Sequence, residues 1–533
     1  MVGCGDDSSA EFTWVRFLGS CAKELIAVQY ERRAYVRREC IRAIRRRYSQ
    51  TQKQENVGMT IAACVLATVL PVDFTVDTGR MRPELHSSGF GAKIEGCSQA
   101  VIDEIKSMGF KYARTHDWAL VNSNQHVCDY HQIFPLMHLD AKDPKNYVFA
   151  PTDYLLDRCR KEASLDIFFR LGASIEHSGP NVHFNTLIPD DFDKVAEIFA
   201  GTVRHYNRGW ANGHNWNIRY WEIWNEPDGV NNMWCLPDGD AGRGDAPEEI
   251  AADRKARDLE RRDRFVKFFV TCLKRIKSEF PEVKVGGPAL CWMNESYFRA
   301  ILAECKKEGV APDFISWHHY TGHPPVVMNA IEKGRKLCDE YGFKDCELII
   351  NEWHYMGKGG FAALRNPDPE VRKKVWTGPG SHNGIVSSCF NLTLLSMFQT
   401  SKLDQAYYYG CNHTGSWGYK DGYSKYKVYY GLKMFGEFIK ALPVICKSGS
   451  ADGITTLAAR SEDGTRKGVI VVDYHSGAKE IVLDFKGVDK DAETWVYVHD
   501  HARDYEAVAA PLRNGKVVLK KADDGCAAFA VWF

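Results

Sequence analysis

Two short stretches carry residue types whose placement can do chemistry. The first is Arg219-Tyr220-Trp221-Glu222-Ile223-Trp224-Asn225-Glu226-Pro227-Asp228. It opens as an aromatic and β-branched run, the composition of a buried strand. It then reaches Pro227, which lacks the amide hydrogen that a central strand needs. Asn225 and Glu226 are thereby held at a strand's carboxyl end among aromatic rings. The second is Glu347-Leu348-Ile349-Ile350-Asn351-Glu352-Trp353-His354-Tyr355, an apolar run followed by a carboxylate and more rings. Two glutamates at the ends of two strands point to paired-carboxylate chemistry, best known in the cleavage of glycosidic bonds.

Such a pair needs a scaffold that brings distant strand ends together. From Arg82 to about residue 435, short apolar strands alternate with helical stretches. The candidate strands are Gly89–Ala92, Tyr112–Thr115, Asp166–Leu171, Arg219–Trp224, Val283–Gly286, Phe314–Trp317, Leu348–Ile350 and Gln405–Tyr409. Helical patterns fall between them, at Ser98–Met108, Phe192–Tyr206, Arg261–Glu279, Glu295–Glu308 and Val326–Tyr341. Eight strands alternating with helices predict an α/β fold, a (β/α)8 TIM barrel with insertions. A doubly wound open sheet is the alternative, but no GxGxxG follows an early strand.

Beyond residue 435 the helical period stops. Gly453–Arg460, Gly468–Tyr474, Glu480–Phe485, Thr494–His499, Val517–Lys520 and Cys526–Trp532 read as strands, with turns at Asp463-Gly464 and Asn514-Gly515. They predict a C-terminal β-sandwich domain over 436–533. The alternating run Val72–Val76, ended by Thr78-Gly79-Arg80, has no place in the barrel count and is expected to join that sandwich. The barrel is thus expected over 72–435 and an N-terminal extension over 1–71.

In a barrel the strand carboxyl ends face the active site, and the polar aromatic clusters fall there. Strand two ends Arg114-Thr115-His116-Asp117-Trp118, strand six ends Trp317-His318-His319-Tyr320, and strand eight leads into Asn412-His413-Thr414-Gly415-Ser416-Trp417. Trp118, Trp353 and Trp417 are candidate sugar-stacking walls, with core packing the alternative for rings of this size. Arg114 and Asp117 either form a buried pair at the barrel mouth or contact substrate.

With Trp-Asn-Glu-Pro after strand four and Glu352 after strand seven, the chain resembles the retaining clan of barrel glycosidases. Arg114-Thr115-His116-Asp117, Asp129-Tyr130-His131-Gln132-Ile133-Phe134-Pro135 and Trp221 to Asp228 make it similar to glycoside hydrolase family 39, which includes β-xylosidases and α-L-iduronidases. The resemblance runs from roughly residue 72 to 530. It departs at Ile350-Asn351-Glu352-Trp353-His354, where many members carry Thr-Glu-Phe. It implies Glu226 as acid/base, Glu352 as nucleophile and Asn225 as the partner of the sugar 2-OH. Tyr320 or His318 would orient Glu352, and His116 would contact substrate hydroxyls. A β-xylosidase-like retaining hydrolase is expected. The alternatives are an iduronidase or other glycosidase of the family, or a non-catalytic carbohydrate-binding protein.

Composition narrows the field. The 533 residues carry 69 basic and 69 acidic side chains, so no long-range field favours nucleic acid or an anionic membrane. No apolar run approaches the roughly 20 residues of a membrane span. The 17 cysteines are scattered, a pattern of buried free thiols that favours a cytoplasmic, reducing setting. Thr60–Leu70 has the size of a signal-peptide core, so export is expected if translation starts near Met59. Lys23–Tyr48 is a basic helical pattern, expected to be solvated. His318, His319, Glu352 and His354 lack a metal-binding spacing, and neither metal nor cofactor is expected. Asp238 to Asp245 looks like part of a calcium loop without its later glutamate, and a loop over the cleft is the expectation.

Overall fold

The computed structural model describes residues 67–533 apart from 83–84, 89–97, 119, 121–125, 175–185, 230–232, 235–247, 411–416, 422–423 and 491. The expectations for residues 1–66 and for the loop 238–245 lie outside these residues, as does the run Gly89–Ala92.

Chain order begins with β1 (Thr68–Arg80), which stands apart from the barrel. Eight parallel strands then close on themselves: β2 (Leu85–Ser88), β3 (Phe110–Arg114), β4 (Asp166–Leu171), β5 (Tyr220–Ile223), β6 (Lys284–Leu290), β7 (Phe314–Thr321), β8 (Glu347–Tyr355) and β9 (Gln405–Tyr409). Ladder pairs Ser87–Tyr408 and Ser88–Tyr409 shut the ring. The first barrel strand thus precedes the run expected for it. Helices Gln99–Met108, Ala150–Lys161, Phe192–Arg208, Glu248–Glu279, Glu295–Lys307, Pro324–Tyr341 and Ile385–Phe398 intervene between the strands.

Period-two alternation stacks the barrel interior in layers. Tyr112, Phe168, Tyr220, Phe314, Ile349 and Tyr407 form one buried cluster inside the ring. Two residues further along the same strands stand Arg114, Arg170, Glu222, Ser316, Asn351 and Tyr409. An apolar plug therefore lies beneath a polar layer, and the polar layer leads up to the mouth.

β8 breaks the alternation once. Ile350 pairs with Trp317, but the next partners are Glu352 and His318, leaving Asn351 as an extra residue. A bulge of this kind re-aims the following side chains. Asn351 meets the polar layer, Glu352 reaches the mouth, and Trp353 turns outward to pack edge-on against Phe398.

A two-residue ribbon, β10 (Lys420–Asp421) with β11 (Ser424–Lys425), precedes the last helix, Lys427–Ala441. The remaining strands are β12 (Val444–Ser448), β13 (Ile454–Arg460), β14 (Lys467–Asp473), β15 (Glu480–Lys486), β16 (Trp495–His499), β17 (Asp504–Val508), β18 (Lys516–Lys520) and β19 (Ala527–Trp532). With β1 they form one nine-stranded sheet, β17-β16-β19-β14-β13-β12-β1-β15-β18. The two-layered sandwich is therefore built from a single sheet curled over its own core, in which Leu70, Val72, Phe74, Val471, Leu483, Val498 and Phe529 are buried. β1 makes the curl, pairing antiparallel with β12 and parallel with β15 and shifting register between Asp73 and Gly79. At Asn514-Gly515 both residues have positive φ (53° and 74°), the conformation a tight primed hairpin turn needs. The ten described cysteines are free, and all but Cys291 are buried. No described helix is long and apolar enough to cross a membrane.

Candidate active site

The turn bearing Glu226 follows β5 through unusual backbone. Trp224 (φ 73°) and Glu226 (φ 45°) both adopt left-handed conformations, which cost about 1–3 kcal/mol each unless the surroundings impose them. Here the surroundings do. Trp224 donates its amide to Leu171 and its indole N–H to Met233, while the Glu226 amide donates to Ala289. Gly172 lies so close that a Cβ there would sit 2.8 Å from the Trp224 ring. The turn is thus clamped from β4, β6 and the following loop, and Glu226 is aimed across the mouth.

Glu226 and Glu352 meet there. One oxygen of each carboxylate and His318 Nδ1 all lie within 4.8 Å of one another. His318 Nδ1 is 2.9 Å from Glu226 Oε1 and 3.3 Å from Glu352 Oε2. Its Nε2 is buried without a partner, so Nδ1 carries the proton and serves the carboxylates. Burial holds the His318 imidazole down to about 4, so the ring is neutral.

The environments of the two carboxylates differ. Arg114 Nη1 donates to Glu352 Oε1 at 2.9 Å, and the Tyr320 hydroxyl donates to Oε2 at 2.7 Å. Glu226 has no Lys or Arg in ion-pair contact among the described residues. Burial pushes both carboxyls up, Glu226 with a thiol donor, Cys291, beside it. With two strong donors on one partner, the shared charge resides on Glu352 and the proton on Glu226. The Glu226 side chain is 15 % exposed against 5 % for Glu352, so the protonated group is the more open to the cleft. Burial also pushes the neighbouring Asp228 up to about 6. Because Arg114 and Tyr320 already serve both Glu352 oxygens, the Glu226–His318–Glu352 trio reads as a cluster for moving protons.

Asn225 belongs to the same constellation. Its Oδ1 accepts from Arg114 Nη2 at 2.7 Å, which fixes the amide's orientation. Its Nδ2 is buried with no hydrogen-bond partner among the described residues, a donor held ready for a ligand. His116 is also brought in, with Nε2 3.6 Å from Glu352 Oε1 and 3.4 Å from Asp117 Oδ2. Trp417 is half-buried against Tyr320 and Tyr409, with centroids 6.2 and 5.5 Å away, and remains a candidate wall.

Two expected walls are corrected. Trp118 is fully buried in the main hydrophobic core, beyond the left-handed turn at Asp117 (φ 55°). Trp353, 1 % exposed, is turned outward by the β8 bulge into the same core. Both rings are packing elements.

Arg114 makes its hydrogen-bonded ion pairs with Glu222 and Glu352. Its Nε donates to Glu222 Oε2 at 2.6 Å, so one guanidinium holds Glu222, Glu352 and Asn225 at once. Glu222 in turn accepts from Ser316 Oγ and Asn351 Nδ2, each at 2.6 Å. This buried network sets the position of Glu352, and Glu222, Ser316 and Asn351 are not among the sequence candidates. Their signal was the i+2 spacing from Tyr220, Phe314 and Ile349, which marks the same inward face. Asp129 is a second anchor: it accepts from Arg170 at 2.5 Å and from the Ser174 amide and hydroxyl at 2.7 and 2.9 Å. The loop motif Asp129 to Pro135 is thereby tied to β4.

With one oxygen of each carboxylate within 4.8 Å of the other, the pair is compatible with the separation of about 5–5.5 Å in retaining enzymes and closer than the about 6.5–9.5 Å of inverting ones. No family model matches the chain. It is 25 % identical over 253 residues to a β-xylosidase of Geobacillus stearothermophilus, covering 46 % of this chain and 41 % of that protein. The chain thus spans about two-fifths of the length of this curated relative. A glucosidase structure from Croceicoccus marinus superposes with a TM-score of 0.63 at 19 % identity, covering 87 % of this chain and 99 % of that one. A family 39 β-xylosidase structure from Caulobacter crescentus gives 0.59 at 16 %, covering 88 % and 100 %. The chain is thus similar in sequence, over nearly half its length, to a curated β-xylosidase, and in fold, over most of it, to a family 39 β-xylosidase structure.

Proposed function

We propose that the chain is a retaining glycosidase of β-xylosidase type, which cleaves O-glycosidic bonds by double displacement. The observation that carries this reading is the asymmetric carboxylate pair: Glu352 receives the Arg114 and Tyr320 donors, while Glu226, with one oxygen within 4.8 Å of it, has no arginine or lysine partner among the described residues. Glu352 attacks the anomeric carbon while Glu226 gives its proton to the departing oxygen. The glycosyl–enzyme bond is then broken by water, whose proton returns to Glu226. His318 Nδ1–H steadies whichever carboxylate is charged at each stage. Asn225 Nδ2 donates to the sugar 2-OH, a contact that strengthens as the ring gains oxocarbenium character. The guanidinium nearest the two carboxylates, Arg114, is already committed to Glu222 and Glu352, which favours a neutral sugar over a uronide.

Turnover of aryl β-xylosides tests the proposal. Glu352→Ala should abolish it. Glu226→Ala should keep activity on substrates with good leaving groups and yield glycosyl azide when azide is added. Proton NMR should show first-formed product with the substrate's anomeric configuration. Inversion would refute double displacement, and binding without hydrolysis across a panel of glycosides would make the chain a carbohydrate-binding protein.

A further inference from the structure

Outside the barrel wall, three side chains from separate elements converge on one point. Asp153 comes from the helix Ala150–Lys161, His205 from the helix Phe192–Arg208, and His214 from the loop that leads into β5. His205 Nε2 is 3.1 Å and His214 Nε2 3.5 Å from the same oxygen, Asp153 Oδ1. All three atoms lie within 4.8 Å of one another.

The hydrogen bonding around His205 sets its protonation. Nδ1 is 2.9 Å from the Trp210 carbonyl, which can only accept, so Nδ1 carries a hydrogen. In the neutral ring, Nε2 is then a bare lone pair aimed at a carboxylate oxygen. His214 Nε2, aimed at the same oxygen, is buried and makes no hydrogen bond. His205 Nε2 and Asp153 Oδ1 stand 3.1 Å apart, hydrogen-bond distance if His205 carries a second proton; with the ring neutral, three electron-rich atoms face each other and repel. A cation at their centre converts that repulsion into three bonds.

Three further features fit a bound ion. A tetrahedral zinc with bonds of about 2.0–2.1 Å sets its ligand atoms about 3.3–3.4 Å apart, a separation that lies between the two spacings to Asp153, 3.1 and 3.5 Å. A metal-ligating histidine almost always donates its other ring N–H to a carbonyl or carboxylate, as His205 does to Trp210. The rings are also pre-set: His205 stacks on Phe149 at 3.6 Å and His214 on Trp216 at 3.9 Å. Gly213 makes room for this arrangement, since a Cβ there would sit 2.5 Å from His205 Nδ1.

We propose that Asp153, His205 and His214 form a binding site for a divalent transition-metal ion of the zinc class. Two imidazoles and one carboxylate select zinc or cobalt over magnesium or calcium, which take all-oxygen sets. The side chains of Asp153 and His214 are 26 % and 30 % exposed, so water completes the coordination. The ion ties two helices to the segment that enters β5, the strand that leads into the Asn225–Glu226 turn. The site is separate from the catalytic carboxylates, and its occupancy can be read without assaying turnover.

The test uses the full chain, stripped with a chelator and titrated with zinc or cobalt. One zinc per chain should bind, with the melting temperature rising by a few degrees at about a hundredfold excess over Kd. Cobalt should give visible d–d absorption of a tetrahedral N2O site. His214→Gln, at the most exposed ligand, should lower affinity by at least about 100-fold, and Asp153→Asn should do the same. Absence of stoichiometric binding by the unaltered protein overturns the proposal. So does binding that survives in both variants.

Discussion

The lower and upper layers inside the barrel are built on the same strands, two residues apart, and have opposite characters. The lower layer is aromatic and aliphatic: Tyr112, Phe168, Tyr220, Phe314, Ile349 and Tyr407. The upper layer holds Arg114, Ser316 and Asn351 in a hydrogen-bond network centred on Glu222. Burying apolar rings stabilises the fold directly. Burying an arginine and a glutamate scarcely does, because desolvation offsets their attraction. What the upper layer supplies is position: one guanidinium fixes Glu352 and the Asn225 amide together. A barrel of this kind thus divides its interior between rings that hold it shut and charges that hold its chemistry in register.

The largest effect should come from breaking the upper layer. Arg114→Met leaves Glu222 and Glu352 buried without their cation, so the protein should lose about 3–5 kcal/mol of stability in urea titrations and nearly all turnover. Phe168→Ala in the lower layer should cost a similar 3–5 kcal/mol, yet leave kcat per folded molecule within about threefold. Equal losses of kcat in the two variants would erase the division of labour.

A milder change sharpens the contrast. Tyr320→Phe removes one hydroxyl donor from an ionised carboxylate, worth about 1.5–3 kcal/mol, or roughly 10- to 100-fold in kcat. That donor lowers the Glu352 pKa, so its loss raises it and moves the acid limb of the pH–rate profile to higher pH. The alkaline limb, set by protonated Glu226, should move far less. An acid limb that stays in place would remove Tyr320 from the nucleophile's support.

The smallest effects separate rings that pack from rings that face the cleft. Trp353→Phe should cost about 1–2 kcal/mol of stability and leave KM unchanged, as expected of a core side chain. Trp417→Ala should raise KM about five- to tenfold with little change in melting temperature, as the loss of a stacking face would. Exchanged outcomes would restore Trp353 as a wall.

The barrel and its two glutamates were legible because period-two apolar runs and a proline-terminated strand are local signals. The upper layer was not, because Glu222 and Asn351 look like isolated polar residues until inward spacing is counted across several strands. The orientation of Trp353 depends on a one-residue register shift between β7 and β8 that no single strand reveals. Trp118 was misplaced for a similar reason: the left-handed residue before it redirects the chain. β12 and β17 escaped notice because each is a five-residue strand lacking a turn dipeptide of its own.

The placement of β1 has a consequence for synthesis. The Thr78 hydroxyl bonds the carbonyl of Ile445, 367 residues further on, so this strand emerges from the ribosome long before its neighbours exist. At about 5–20 residues per second, its hydrogen-bonding edges wait roughly 20–70 s for partners. During that interval the nascent chain offers an open template to other strands, and the whole barrel must be threaded before the gap is filled.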